Sequence, residues 1–437
     1  MNRRTRQGPV QPEVVEAPDS RFLAAGETAP LAKRLPRFLC GARNAEVVLR
    51  SGCFGLVGSG SVGLQTLVSL APLDLAEVVI VDPGNFKAES RLTHPPLLFD
   101  LGESKARFAA HWFKSQSPRT RVRFADARFE ELSDWALAGV DVVILATDNL
   151  QAEVAVGERC LQLGIPILQG SVYGPMLVAQ VRAFAGHPAG DEPCPACGFG
   201  EEEWRHLAES TRFSCESLPA EPARSSRPAA GAQIKRPPTM SLRSLCALAG
   251  DLVAMQLLRW MLDPASPRRS EMIEYCGFNH KTTIVPLAKS QSCPCDHVTL
   301  LRVPGFPEGE SLTAQSPASL FRWARAGAGL GSAGFLLSID DASFVEHGDC
   351  NGCRERVEIR RFAHPAEALS CRWCFAPLAV HSFFAHRSVS DAILGSLVDA
   401  PLRDFGDANV QNLTIRTGDS AFWFSGGSPA SLRTSQP

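Results

Sequence analysis

Cys53-Phe54-Gly55-Leu56-Val57-Gly58-Ser59-Gly60-Ser61-Val62-Gly63-Leu64-Gln65-Thr66-Leu67-Val68-Ser69-Leu70 reads as a strand, a glycine turn and a helix. Cys53–Val57 is an apolar run short enough for a strand, and Val62–Leu70 carries the apolar spacing of a helix. Gly58, Gly60 and Gly63 form a G-x-G-x-x-G, which lets backbone approach a phosphate at a helix N-terminus, where free N–H groups and the dipole favour an anion. Asp82 ends the next apolar run, Glu77–Val81, about 20 residues further on, the usual place for a carboxylate that hydrogen-bonds a ribose. A nucleotide site is expected here.

Outward from this motif the same alternation continues to about Gly186. Strands are expected at Arg121–Ala125, Val140–Ala146, Ile165–Gln169 and Leu177–Phe184, and helices at Glu103–Lys114 and Gln151–Leu163. The fold class is therefore α/β with a doubly wound, mostly parallel sheet. Residues 1–30 lack periodicity and are expected to be disordered, whereas Leu31–Arg50 reads as helical. Residues 198–239 again lose periodicity and read as a long loop. A helix at Ser241–Leu262 and strands at Glu271–Cys276 and Thr282–Leu287 follow. The expected units are residues 31–298, a separate C-terminal α+β unit over 299–425, and a loose tail over 426–437. Within the C-terminal unit, helices are expected at Ala318–Ala326 and near Val389–Leu397, and strands at Asn412–Arg416 and Ala421–Phe424.

The chain has 437 residues, 45% of them hydrophobic, and a net charge of −2. That charge, with no basic run interleaved with aromatics, argues against a nucleic-acid partner. The longest apolar stretch, Leu242–Leu262, is broken by Arg243, Asp251 and Arg259, and no apolar leader precedes the first motif. Neither membrane attachment nor export is expected, which leaves the cytoplasm.

In a cytoplasmic chain of this size 14 cysteines read as metal ligands or a reactive thiol rather than disulfides. Cys350-x2-Cys353-x17-Cys371-x2-Cys374 fits two zinc knuckles, each turn aiming two thiolates at one ion. A closed set of four thiolates leaves no position for water, so the site is expected to be structural. Cys194-x2-Cys197 and Cys293-x-Cys295 each follow a strand of the first unit and are expected to meet around a second zinc; Asp296 or His297 could replace one thiol. Cys40, Cys53, Cys160, Cys246 and Cys276 fall on apolar faces and read as core residues.

Gly58–Gly63, Asp82, Gly102-Glu103-Ser104-Lys105, Thr147-Asp148-Asn149 and the cysteine pairs at 194/197 and 293/295 follow one another in an order and spacing that resembles the ThiF/MoeB/ubiquitin-activating superfamily, over about residues 31–298. The resemblance implies a Rossmann-like adenylation unit that uses ATP and Mg2+ to adenylate the C-terminal glycine of a ubiquitin-like or sulfur-carrier protein. It implies that Lys105 grips phosphate oxygens and Asp148 holds the magnesium-bound triphosphate; alone, Lys105 also fits a solvated helix residue and Asp148 a helix cap. It implies an Asn-Leu-x-Arg after Asp82, where this chain has Ser90, Arg91, Leu92, Thr93 and His94. Ser90 and Arg91 are the residues nearest those roles, and Arg34 or Arg37, donated across a homodimer, are the alternatives for the arginine.

In resembling enzymes that hand on their cargo as a thioester, the acceptor cysteine can lie in the loop that here holds Cys215. A loop thiol near Arg212 has the exposure and the cationic neighbour that favour a thiolate. With the added zinc module at Cys350–Cys374, the resemblance extends to the activating enzyme of a bacterial ubiquitin-like conjugation system of the antiphage type, with a conjugating enzyme as second partner. The alternatives are a sulfur-carrier adenylyltransferase without thioester transfer, an adaptor impaired in catalysis, and an NAD-linked oxidoreductase, for which Lys105 and Asp148 would have no role.

Overall fold

The computed structural model of the chain describes residues 10–15, 45–132, 136–137, 139–186, 192–207, 241–262, 268–295, 297–302, 311–328, 334–339, 342–364, 367–406, 410, 412–417 and 420–425. In chain order the first elements are β1 (Glu13–Val14), α1 (Ala45–Ser51), β2 (Cys53–Val57), α2 (Ser61–Leu70), β3 (Glu77–Val81), α3 (Ser90–Thr93) and α4 (Lys105–Gln116). They continue with β4 (Arg121–Ala125), β5 (Val142–Leu145), α5 (Leu150–Leu163), β6 (Ile167–Tyr173), β7 (Val178–Phe184), α6 (Arg243–Leu262), β8 (Glu271–Cys276) and β9 (Lys281–Pro286).

All nine strands form one sheet, ordered β1-β4-β3-β2-β5-β6-β7-β8-β9. The central five, β4 to β6, run parallel, and the flanking strands are antiparallel. The parallel strands β2, β3 and β5 are buried along their whole length, as apolar runs covered by helices on both faces must be. Residues of α2, α4 and α6 fill one face, and α5 covers the other. The chain leaves β2 toward β3 and β4, then returns to its other side with β5. This reversal opens a crevice at the carboxyl ends of β2 and β5, where open α/β sheets bind ligands.

Helix α6 has the length and apolarity of a membrane span, yet here it is a core helix. It runs beside α2 in the same direction: Leu245 and Cys246 pack with Val62, and one turn on Asp251 accepts hydrogen bonds from Gln65 and Ser69. The two backbones touch at Gly250, where a Cβ would lie 2.9 Å from the Thr66 amide nitrogen.

Two sequence expectations are corrected. Residues 10–15, inside the stretch expected to be disordered, hold β1, which pairs with β4, and Val15 is buried in the core; a two-residue edge strand has too little pattern to be seen in sequence. Residues 201–207, inside the expected loop, are helical. Residues 31–44 and 208–240, with Arg34, Arg37, Cys40, Arg212 and Cys215, lie outside the described residues, as does the tail from 426.

From Leu300 onward the chain builds two further sheets. β10 (Leu300–Arg302), β11 (Leu336–Ile339), β16 (Val389–Ser390), β17 (Asn412–Thr417) and β18 (Ser420–Ser425) form one, ordered β10-β18-β17-β11-β16. β12 (Ser343–Cys350) and β13 (Arg356–Ala363) carry the other, with the short β14 (Leu378–Ala379) and β15 (Ala385–His386) against β12. Helix α7 (Pro317–Ala328) packs with Phe335, Leu337, Phe344, Phe362 and Phe422 in one apolar core. The helix expected near Val389–Leu397 begins at Asp391, as α8 (Asp391–Leu394) followed directly by a 3-10 turn over Gly395–Val398. Val389 is drawn into pairing with Leu337, and Gly395 turns away at φ 55°.

Gly250→Ala is expected to lower stability by about 1–3 kcal/mol, because the added methyl would lie 2.9 Å from the Thr66 amide nitrogen and from the Cβ and Cγ of Gln65, so relief requires the helix backbones to part. Urea denaturation read by circular dichroism checks this.

Candidate functional site

The turn after β2 is shaped by close contacts that explain two of its three glycines. Gly58 sits at φ 92°, and a Cβ there would lie 2.5 Å from the Ala146 carbonyl oxygen; at Gly63 it would lie 1.9 Å from the Gly58 oxygen. Gly60 differs: its φ of −72° suits any residue, and nothing lies within 4 Å of its Cβ position. The fold does not require glycine at 60; the open space above it is a cradle that a side chain would fill. Helix α2 starts here with no side-chain cap and no acid in its first turn, so its first N–H groups face the crevice unpaired by any cap.

Asp82 is buried at the end of β3 and ties this turn down. Its Oδ2 accepts from the Ser59 amide at 2.6 Å and the Ser59 hydroxyl at 3.1 Å, and its Oδ1 accepts from the Gly84 amide at 2.7 Å. The Gly84 carbonyl in turn accepts from the Lys105 amide at 2.9 Å. Lys105 opens α4, which Ser104 caps through the Arg107 amide. Its Nζ lies 3.7 Å from the Gly84 Cβ position, beside Asp82. Glycine loop, carboxylate and lysine are thus one connected unit.

The Ser90–His94 segment is arranged differently from the sequence expectation. Ser90 is buried, and its hydroxyl accepts from the Lys87 amide at 3.1 Å, so it serves the turn into α3. Arg91 is exposed, and its carbonyl accepts from the Arg243 guanidinium. His94 is 4% exposed; its Nδ1 meets the Thr93 hydroxyl at 3.1 Å, and its Nε2 has no partner. Burial first, then the charge of Lys105 and, further down, of Arg243, hold its pKa down at about 4. Sequence reasoning named His94 only as part of the Ser90–His94 segment and Arg243 only as a break in an apolar stretch.

Asp148 follows β5 and lies exposed at the same end of the sheet, where Ala146 and Thr147 abut Gly58. The α5 cap is Asn149, whose side chain accepts from Gln151 and Ala152 amides, leaving the Asp148 carboxylate free of that duty. Glu153, one turn into α5, is buried, and desolvation raises its pKa against the opposing pull of Gln169 and Arg182.

Cysteines separated by about a hundred positions meet beyond β7. Cys194, Cys197, Cys293 and His297 bring their ligand atoms within 4.8 Å of one another, with Sγ distances of 3.8 Å for Cys194 to Cys197 and 3.7 Å for Cys194 to Cys293. Tetrahedral thiolates around zinc stand about 3.8 Å apart. The His297 Nδ1 donates to the Glu192 carbonyl at 2.9 Å. That fixes the tautomer and frees Nε2, 3.6 Å from Cys197 Sγ, as ligating histidines require. Cys295, expected as the fourth ligand, instead packs with Leu161, Cys194 and Ala196. Asp296 lies outside the described residues. Cys350, Cys353, Cys371 and Cys374 form the second group, as the spacing predicts, and every described cysteine is a free thiol. Both donor sets could hold a metal ion. Cys276 is half-buried rather than core.

A model of the ThiF family matches residues 35–295. The SAMP-activating enzyme E1 of Haloferax volcanii is 28% identical over 150 residues, covering 33% of this chain and 53% of that protein. The sulfur carrier protein adenylyltransferase of Thermus thermophilus is 28% identical over 151 residues, covering 33% and 54%. The chain thus spans about half the length of the curated relatives it matches. Among solved structures, E. coli MccB with succinimide aligns at 14% identity and a TM-score of 0.45, over 62% of this chain and 74% of that one; E. coli MccB with ATP aligns at 15% and 0.41, over 57% and 68%.

Because the native His94 binds its proton only near pH 4 and the unfolded chain near 6.5, the unfolded state holds more protons between these values. The histidine's contribution to stability is therefore lost as pH falls through that window. Unfolding free energies of wild type and His94→Gln, measured from pH 7 to pH 4, are expected to show the wild type losing ground to the variant as the pH drops.

Proposed function

The chain belongs to the ThiF family, and from that premise we propose that it adenylates the C-terminal carboxylate of a small ubiquitin-like or sulfur-carrier protein with ATP. A carboxylate oxygen attacks the α-phosphorus, the bond to the β-bridging oxygen breaks, and pyrophosphate leaves with its electron pair, giving an acyl-adenylate. The observation that carries this reading is the convergence, at one end of β2 and β5, of an uncapped helix N-terminus, a half-buried lysine and a free carboxylate.

Each residue has a role that follows from its position. The first amides of α2 donate to phosphate oxygens in the space above Gly60. Lys105 neutralises charge that develops as the leaving group departs. Asp148 would hold a magnesium ion accompanying the triphosphate, and Asp82, with both oxygens committed to the loop, still has lone pairs for a ribose hydroxyl. We extend the proposal to the next step: the Cys215 thiolate attacks the acyl carbon, AMP leaves, and the resulting thioester passes to a conjugating enzyme. The chain would work in the cytoplasm as a homodimer. Each of the two cysteine groups would hold a zinc ion in a closed tetrahedral site, which supplies folding energy rather than catalysis.

Pyrophosphate exchange into ATP, with a candidate carrier present, tests the first step. Lys105→Ala is expected to lower the exchange rate by about 10²–10³-fold. Gly60→Ala is expected to leave the unfolding midpoint unchanged while weakening ATP binding, and equal loss of both would remove the argument from the open space. Cys215→Ala should keep exchange and lose the thiol-reducible carrier adduct; an adduct that persists assigns the thioester elsewhere. Metal analysis of His297→Ala is expected to find one zinc fewer than wild type, whereas Cys295→Ser keeps the full complement.

A further inference from the structure

We infer that Arg243, at the start of α6, is a second phosphate-facing cation of the proposed nucleotide site, in addition to Lys105. This rests on the nucleotide reading above.

Three helices, α2, α4 and α6, begin around one crevice, and none has an acidic residue in its first turn. α4 and α6 instead open with Lys105 and Arg243. Cations at a helix N-terminus oppose the dipole and are selected against in a helix that needs only to fold. Helix α5, on the other face, follows the ordinary rule, with Asn149 as cap and Glu153 in its first turn.

The start of α6 lies beside the glycine loop. Cys246, on its first turn, packs on Val62, the second residue of α2. The Arg243 guanidinium reaches back to the Arg91 carbonyl. Both Arg243 and Lys105 act electrostatically on His94, and no carboxylate counters them there. Among the described residues neither cation has an ion-pair partner. His94 remains neutral, with its Nε2 unpartnered. Arg243 is exposed and Lys105 half-buried, so two cations without an ion-pair partner stand with two aligned helix N-termini beside the glycine turn, an arrangement that suits a polyanion such as a triphosphate.

The test uses the full chain with Arg243→Gln and Arg243→Lys, read by pyrophosphate exchange and by thermal shift with ATP and with inorganic tripolyphosphate. Arg243→Gln is expected to melt no lower than wild type without ligand, to raise the KM for ATP about tenfold or more, and to lose most of the tripolyphosphate-induced shift. Arg243→Lys should recover part of both. A wild-type KM and shift in Arg243→Gln overturns the inference. So does a ligand-free melting loss that Arg243→Lys fails to restore, which would make the arginine structural. A wild-type chain inert in exchange sinks the adenylation reading alone, because the tripolyphosphate shift still decides Arg243.

Discussion

The carboxylate of Asp82 organises the carboxyl end of the sheet around β2 and β3. Burying an anion is costly unless donors replace its water, and here two backbone amides and a hydroxyl do so. One amide belongs to the glycine turn and the other to the segment after β3, so a single side chain fixes the exit of β2 against that of β3. The Gly84 carbonyl passes the constraint on to the Lys105 amide, which sets where α4 begins. The direction of α2, the position of the lysine and the open space above Gly60 all follow from this one arrangement.

Much of the fold was legible in the sequence because the central strands are continuous apolar runs with glycine or polar breaks between them, and β2, β3 and β4 have the bounds expected. Elements governed by tertiary pairing were not legible: β1 is too short to carry a pattern, and Val389 changes from helix to strand because Leu337 is available beside it. At the candidate site, spacing located Gly58–Gly63, Asp82, Lys105 and Asp148. It could not say that Asn149 rather than Asp148 caps α5, since either side chain can do so from adjacent positions. Nor could it choose between Cys295 and His297; the folded chain brings the His297 ring within 4.8 Å of the other three donors, held there by the Glu192 carbonyl. Nor could it show that the Arg243 guanidinium, 152 positions after Arg91, reaches back to the Arg91 carbonyl; the only sequence signal of Arg243 is a basic residue where a helix ordinarily begins with an acid.

The two cysteine groups are built on different physical plans. The first joins residues far apart in sequence and closes the region beyond β7. The second is local and nearly symmetric. In each turn the residue after the second cysteine, Arg354 or Phe375, lies in the left-handed region at φ 62° and 59°. Each donates its amide to the carbonyl of the first cysteine, at 3.0 Å and 2.9 Å. Neither position holds the glycine that this conformation favours, so each costs about 1–2 kcal/mol that the thiolate set must hold against.

The pairing of α2 with α6 has a kinetic consequence. Gln65 and Asp251, which join the two helices, are 186 positions apart, so the apolar flank of α2 has no cover until α6 has left the ribosome. At about 5–20 residues per second that is an interval on the order of ten seconds or more. During it the strands flanking the glycine turn can pair, with α2 and α4 on them, while the flank of α2 that α6 covers stays bare. Such a nascent chain is a substrate for holding chaperones, and truncation before α6 would leave that flank permanently open.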